Sequence, residues 1–100
     1  MAEDFIEEIY ARADVIESMR EICNSINKMR IQEASNLWNI SLPMLLKMVN
    51  QGCESGMDVT VLKAAINEAH EVWGDPLRFA YVIEERIIPE LYWINKDIPG

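Results

Sequence analysis

The 100-residue chain has a single histidine, two cysteines and four glycines, and it contains no run of ~18 apolar residues that could cross a bilayer. Each scarcity removes a class of function. One histidine cannot supply the two Glu-x-x-His pairs of a di-iron or di-manganese bundle. His70-Glu71 is followed by Val72, Trp73 and Gly74, so the second histidine of a zincin motif is missing. The internal glycines Gly52, Gly56 and Gly74 form neither a dinucleotide fingerprint nor a phosphate loop. Nine Lys and Arg against seventeen Asp and Glu leave a formal charge of −8. That excess repels phosphate and anionic lipid, so nucleic acid and membrane surfaces are set aside as partners.

The remaining enzymatic option is a thiol nucleophile paired with His70. Cys23 lies on an apolar helical stripe, where a thiol packs, and Cys53 sits in a Gly-flanked loop beside Glu54, whose charge disfavours a thiolate. The sequence therefore assigns no catalytic residue, no metal ligand and no cofactor. Glu3, Asp4, Glu7 and Glu8 suit the positive end of a helix dipole and read as a solvated acidic face. Met1-Ala2-Glu3-Asp4 has no basic stretch leading into an apolar run, so the expectation is a cytoplasmic protein with both thiols free.

What the chain does have is apolar content, 50% of residues against 26% charged. At this length one domain spanning residues 1–100 buries about 65% of the surface of its unfolded chain. Phe5, Ile9, Ile16, Met19, Cys23 and Ile26 recur at helical spacing, with Ile6, Ala13, Val15, Ile22 and Met29 widening the stripe. This predicts a first helix near residues 3–28, with Glu8 one turn before Arg12. No glycine or proline marks its end, and a tight turn is placed near Met29 to Ile31.

A second helix near 31–50 carries Ala34, Leu37, Trp38, Leu42, Leu45, Leu46 and Val49 inward, ends before Gly52, and is kinked by Pro43. After a loop over Gln51 to Gly56, Asp58 is positioned to cap a third helix near 59–73, with Leu62, Ala65, Ile66, Ala69, Val72 and Trp73 facing the core. Asp75-Pro76 then places a capping carboxylate before a residue with preset φ. It opens a fourth helix near 76–95, kinked by Pro89. The fold class is all-α, a four-helix antiparallel bundle of two helical hairpins, with stacked hairpins as the geometric alternative.

One surface stands out. On a wheel at ~100° per residue the fourth helix has a main stripe of Ala80, Ile83, Ile87, Leu91 and Ile94. Leu77, Tyr81, Ile88 and Tyr92 form a second stripe ~110° away, and Trp93 falls near the opposite side. A bundle helix with two neighbours would bury both stripes. A helix with one stripe free would present tyrosine and tryptophan to a partner. Leu77, Tyr81, Ile88, Tyr92 and Trp93 are accordingly the candidate partner-binding residues.

The stretch from about Ile66 to Trp93, carrying Asp75, Ala80, Glu84, Ile87-Ile88-Pro89 and Leu91, resembles a group of small acidic helical proteins of Gram-positive anaerobic bacteria. In that group a Leu-Pro occurs within the second helix, as Leu42-Pro43 does here, and an Ile-Pro accompanies the final helix. The resemblance covers about a third of the chain. Pro76, Tyr81 and Arg86 depart from it, standing where the group has an aromatic and two acids. The resemblance implies a helical fold and carries over no catalytic residue.

These features favour a non-enzymatic interaction module, an adaptor or small chaperone, whose partner is another protein or a second copy in a homodimer. It is similar to flagellin-type export chaperones in being a small helical bundle. The alternative is an acidic immunity or anti-activator protein that binds a basic target. In size and charge it resembles colicin immunity proteins, but it lacks their tyrosine-pair motif.

Overall fold

The computed structural model describes the backbone of residues 2–97 and the side chains of residues 14–96. Among the described residues there is no strand, and the chain is an all-α bundle. Helix α1 spans Ala2–Asn27, α2 Ile31–Glu54 and α3 Thr60–Glu71. A fourth rod consists of α4 (Pro76–Val82), a π-turn (Ile83–Ile87) and α5 (Ile88–Asp97). The side chains expected to start the first stripe and its acidic face, Phe5, Ile6, Ile9, Ala13, Glu3, Asp4, Glu7, Glu8 and Arg12, lie outside the described ones.

α1 packs most extensively against α2 and also lies along α4 and α5, whereas α3 packs on the fourth rod. The fourth rod touches all three other helices, which makes this a bundle rather than two stacked hairpins. Its core residues Ile83, Ile87, Leu91 and Ile94 meet Met19, Ile22, Leu45, Met48 and Leu62 in the buried cluster.

Helix ends follow from local chemistry. After α1 the amide of Met29 donates to the Ile26 carbonyl (2.9 Å) and that of Arg30 to the Ser25 carbonyl (2.7 Å), the paired bonds of a Schellman motif. The left-handed position this motif needs is held by Met29, at φ 62°. α2 ends in the same motif with glycine there: Gly56 (φ 84°) donates to Cys53 and Met57 to Gly52. The expected boundary before Gly52 is thus corrected by one turn. Gly52 is a packing residue, since a Cβ there would lie 3.0 Å from Val59 Cγ1 and 3.6 Å from Ile94 Cδ1. Cys53 consequently sits in the last helical turn and not in a loop. Leu46, expected inside, is exposed because Leu45, Met48, Val49 and Gly52 set the buried face one residue's rotation away.

Asp58 Oδ1 accepts the Thr60 amide (3.0 Å) at the start of α3. A hydrogen bond from the Thr60 hydroxyl, together with the one from its amide, holds the Asp58 carboxyl below its ordinary range. α3 stops at Glu71, earlier than the periodicity predicts, and residues 72–74 turn. As the Asp75-Pro76 pair predicts, Asp75 Oδ1 accepts the Arg78 amide (3.3 Å) with Pro76 in the first turn.

α2 stays helical on both sides of Pro43. At Pro89 the outcome differs. A proline ring at 89 would meet the Glu85 carbonyl of a regular helix and leaves it without an amide partner. The rod widens into a π-turn just upstream, where the Ile88 amide donates to the Ile83 carbonyl.

Candidate interaction surface

The π-turn decides which side chains share the outer face of the fourth rod. A π-turn takes in one extra residue, so the segment after it is rotated by ~100° relative to a continuous α-helix. Ile88 therefore swings towards the core, where it is half-buried against the apolar cluster and not beside Tyr81. Trp93 moves round from the opposite side to line up with Tyr81. Leu77 is 74% exposed, Tyr81 60%, Tyr92 44% and Trp93 43%. Tyr92 sits at the α1 edge of this face, with the Arg20 guanidinium 5.2 Å from its ring centre. Arg20 is also held by Glu17 at 3.6 Å.

Where the fourth rod begins there is also a cleft that the sequence did not reveal. Because consecutive rods alternate in direction, the α1–α2 turn and the α3–α4 turn lie at the same end of the bundle. Between them is a cleft of about 160 Å³ lined by Ile26, Ile31, Trp73, Pro76 and Phe79, with Gln32 and Ser35 as polar lining. Its floor is rigid. Trp38, buried in α2, makes edge-on contacts with Phe79 (5.1 Å between ring centres) and His70 (5.6 Å), and Phe79 in turn stands edge-on to Trp73 at 4.8 Å. Met29 is 87% exposed at the turn beside Ile31. The strained backbone of a fully exposed methionine was the missing signal, because αL geometry at a non-glycine residue leaves no mark in apolar periodicity.

Two arginines at this end are paired with carboxylates. Arg30 meets Glu33 at 3.7 Å and Arg78 meets Asp75 at 3.5 Å, each one helical turn apart and solvent-exposed. Further along the rod Arg86 is bound to Glu68 of α3. Glu84 and Glu85 are exposed and make no ion pair among the described residues.

The thiols occupy opposite environments. Cys23 is buried and donates to the Ala80 carbonyl at 3.6 Å. Burial, reinforced by Glu84, pushes its pKa up to about 12. A thiol so placed is a packing group and a poor nucleophile. Cys53 is exposed and free. His70 is exposed and stands edge-on to Trp38, and among the described residues no cluster of His, Cys, Asp or Glu could hold a metal ion. No described helix is long and apolar enough to cross a membrane. Comparison of the chain with protein-family models, with curated proteins and with solved structures finds no match.

Proposed function

We propose that this chain is a non-enzymatic cytoplasmic interaction module, an adaptor or small accessory factor, that binds another protein through the outer face of its fourth rod. The observation carrying this reading is the set Leu77, Tyr81, Tyr92 and Trp93, all more than two-fifths exposed on one rod. Tyrosine and tryptophan combine large apolar area with a polar tip and few rotatable bonds, which suits them to act as anchors at an interface. The exposed part of these side chains adds nothing to the packing of the free chain. They are accounted for if a partner covers them.

The test is the double substitution Tyr81→Ser with Trp93→Ser. Binding to the partner recovered from native cell extract should weaken by more than ~2 kcal/mol, as loss of buried aromatic anchors does. Tyr81 is 60% and Trp93 43% exposed in the free chain, so its melting temperature should fall by only a few degrees. Lost thermal stability with unchanged association would contradict the proposal.

A further inference from the structure

We infer that the seam between α1 and α2 holds a site for a small primary alkylammonium ion, with the charged head among Asp14, Ser18 and Ser41 and the alkyl arm along Val15, Ile40 and Met44. These six residues line a groove of about 200 Å³. The two helices contribute to it in the same pattern: Asp14, Val15 and Ser18 stand at i, i+1 and i+4 on α1, as Ile40, Ser41 and Met44 do on α2. The site uses no residue of the fourth rod and is separate from the proposed partner face.

Ser41 is the residue that calls for a ligand. It is only 7% exposed, yet its hydroxyl has no hydrogen-bond partner among the described residues, not even the Leu37 carbonyl one turn back that a helical serine ordinarily reaches. A buried hydroxyl left in that state is costly, and a polar group seated in the groove would satisfy it. The side chains of Asp14 and Ser18 likewise make no ion pair or hydrogen bond among the described residues. Lys47, one turn beyond Met44, has an interaction of its own.

The chemistry of the lining selects the occupant. The Asp14 carboxylate repels an anion, and Glu21, exposed one turn past Ser18, adds to the negative field. One carboxylate and two hydroxyls match the three N–H donors of a primary ammonium. They fall short of the roughly six to eight oxygens that a calcium ion takes, and magnesium demands an octahedron. Val15 is buried, Met44 half-buried and Ile40 75% exposed, so an arm lying on them leaves water. Since a cavity of ~150 Å³ accommodates one benzene ring, about 200 Å³ has room for an arm of roughly four to six carbons.

The experiment titrates butylammonium chloride into the full chain and follows the backbone amide signals by nuclear magnetic resonance. Signals of residues 14–18 and 40–44 should shift and saturate in the millimolar range, as suits a ligand of few atoms. Each methylene removed from the arm should weaken binding roughly threefold. Butyrate and butanol, which keep the arm and lose the ammonium, should bind at least ~tenfold more weakly, and Asp14→Asn and Ser41→Ala should each weaken butylammonium binding by a similar factor. Ser41→Ala should keep or raise the melting temperature, because it removes a buried hydroxyl that has no partner in the free chain.

No saturable shift, shifts confined to other residues, an equal response to butanol or to sodium chloride, or indifference to either substitution overturns the inference. So does a fall in the melting temperature of Ser41→Ala with unchanged binding, which would assign the hydroxyl to the fold alone. Tighter binding of Nα-acetyl-lysine amide than of butylammonium would make the occupant the lysine of a protein and refute the free amine.

Discussion

Replacing Met29 by glycine should stabilise the protein, an unusual direction for a substitution that removes a large apolar side chain. An L-residue in the left-handed region costs roughly 1–2 kcal/mol that glycine does not incur. Glycine in return gives up about 0.5–1 kcal/mol more backbone entropy on folding. Met29 is 87% exposed, so almost no packing is lost with its side chain. The net gain is about 0.5–1 kcal/mol, which for a domain of this size raises the melting temperature by roughly 2–8 °C. Thermal and urea unfolding followed by circular dichroism at 222 nm would measure it, with an unchanged urea slope showing that the denatured state is unaltered. The second Schellman motif supplies the mirror experiment. A Cβ at Gly56 meets nothing within 4 Å, so Gly56→Ala isolates the backbone term and should cost about 1 kcal/mol. A Met29→Gly protein less stable than the parent, or a Gly56→Ala protein of parental stability, would refute the assignment of both turns.

Gly52→Ala should destabilise by about 1 kcal/mol, because overpacking against Val59 and Ile94 outweighs the ~1 kcal/mol helix-propensity gain, and Val59→Ala in the same protein should recover part of the loss in a double-mutant cycle. A thiol reagent under native conditions should label Cys53 rapidly and Cys23 only on unfolding; equal rates would mean that α1 is wrongly rotated. The raised Cys23 pKa fixes a sign for pH dependence. Below the ordinary thiol value of 9.0 the group contributes nothing to pH dependence, and from there towards about 12 the unfolded chain gives up a proton that the native chain keeps. Stability should therefore fall across that window more steeply in the parent than in Cys23→Ala; parallel curves would show that the thiol is not buried as described. Pro89→Ala should restore an amide to the rod and favour α-helical register over the π-turn, read as a change in Trp93 quenching by acrylamide.

How far these features could be read from residue types varies along the chain. The α3–α4 boundary was plain because Asp75 and Pro76 act locally, one as acceptor and one through its fixed φ. The core stripe of α1 was equally plain wherever its side chains are described, since Val15, Ile16, Met19, Ile22, Cys23 and Ile26 repeat at the helical period. Gly52 misled because glycine serves both as a stop and as a place for close approach, and only the position of Val59 distinguishes the two. The outer face of the fourth rod was legible in part. Leu77 and Tyr81 precede the π-turn and obey a wheel at ~100° per residue; Ile88 and Trp93 follow it and do not. The cleft was not legible at all, because it joins Ile31, from one turn, to Trp73 and Pro76, from another, and no periodicity within a single helix relates them.

A partner is proposed to cover the outer face of the fourth rod. Hydrogen–deuterium exchange of the chain, alone and saturated with the partner recovered from native extract, tests it most directly. Binding should slow exchange along residues 73–93, and leave the outer side of α2 around Ile40 and Leu46 unchanged. Protection confined to α2, or a partner that leaves residues 73–93 exchanging at their free rate, would contradict the account.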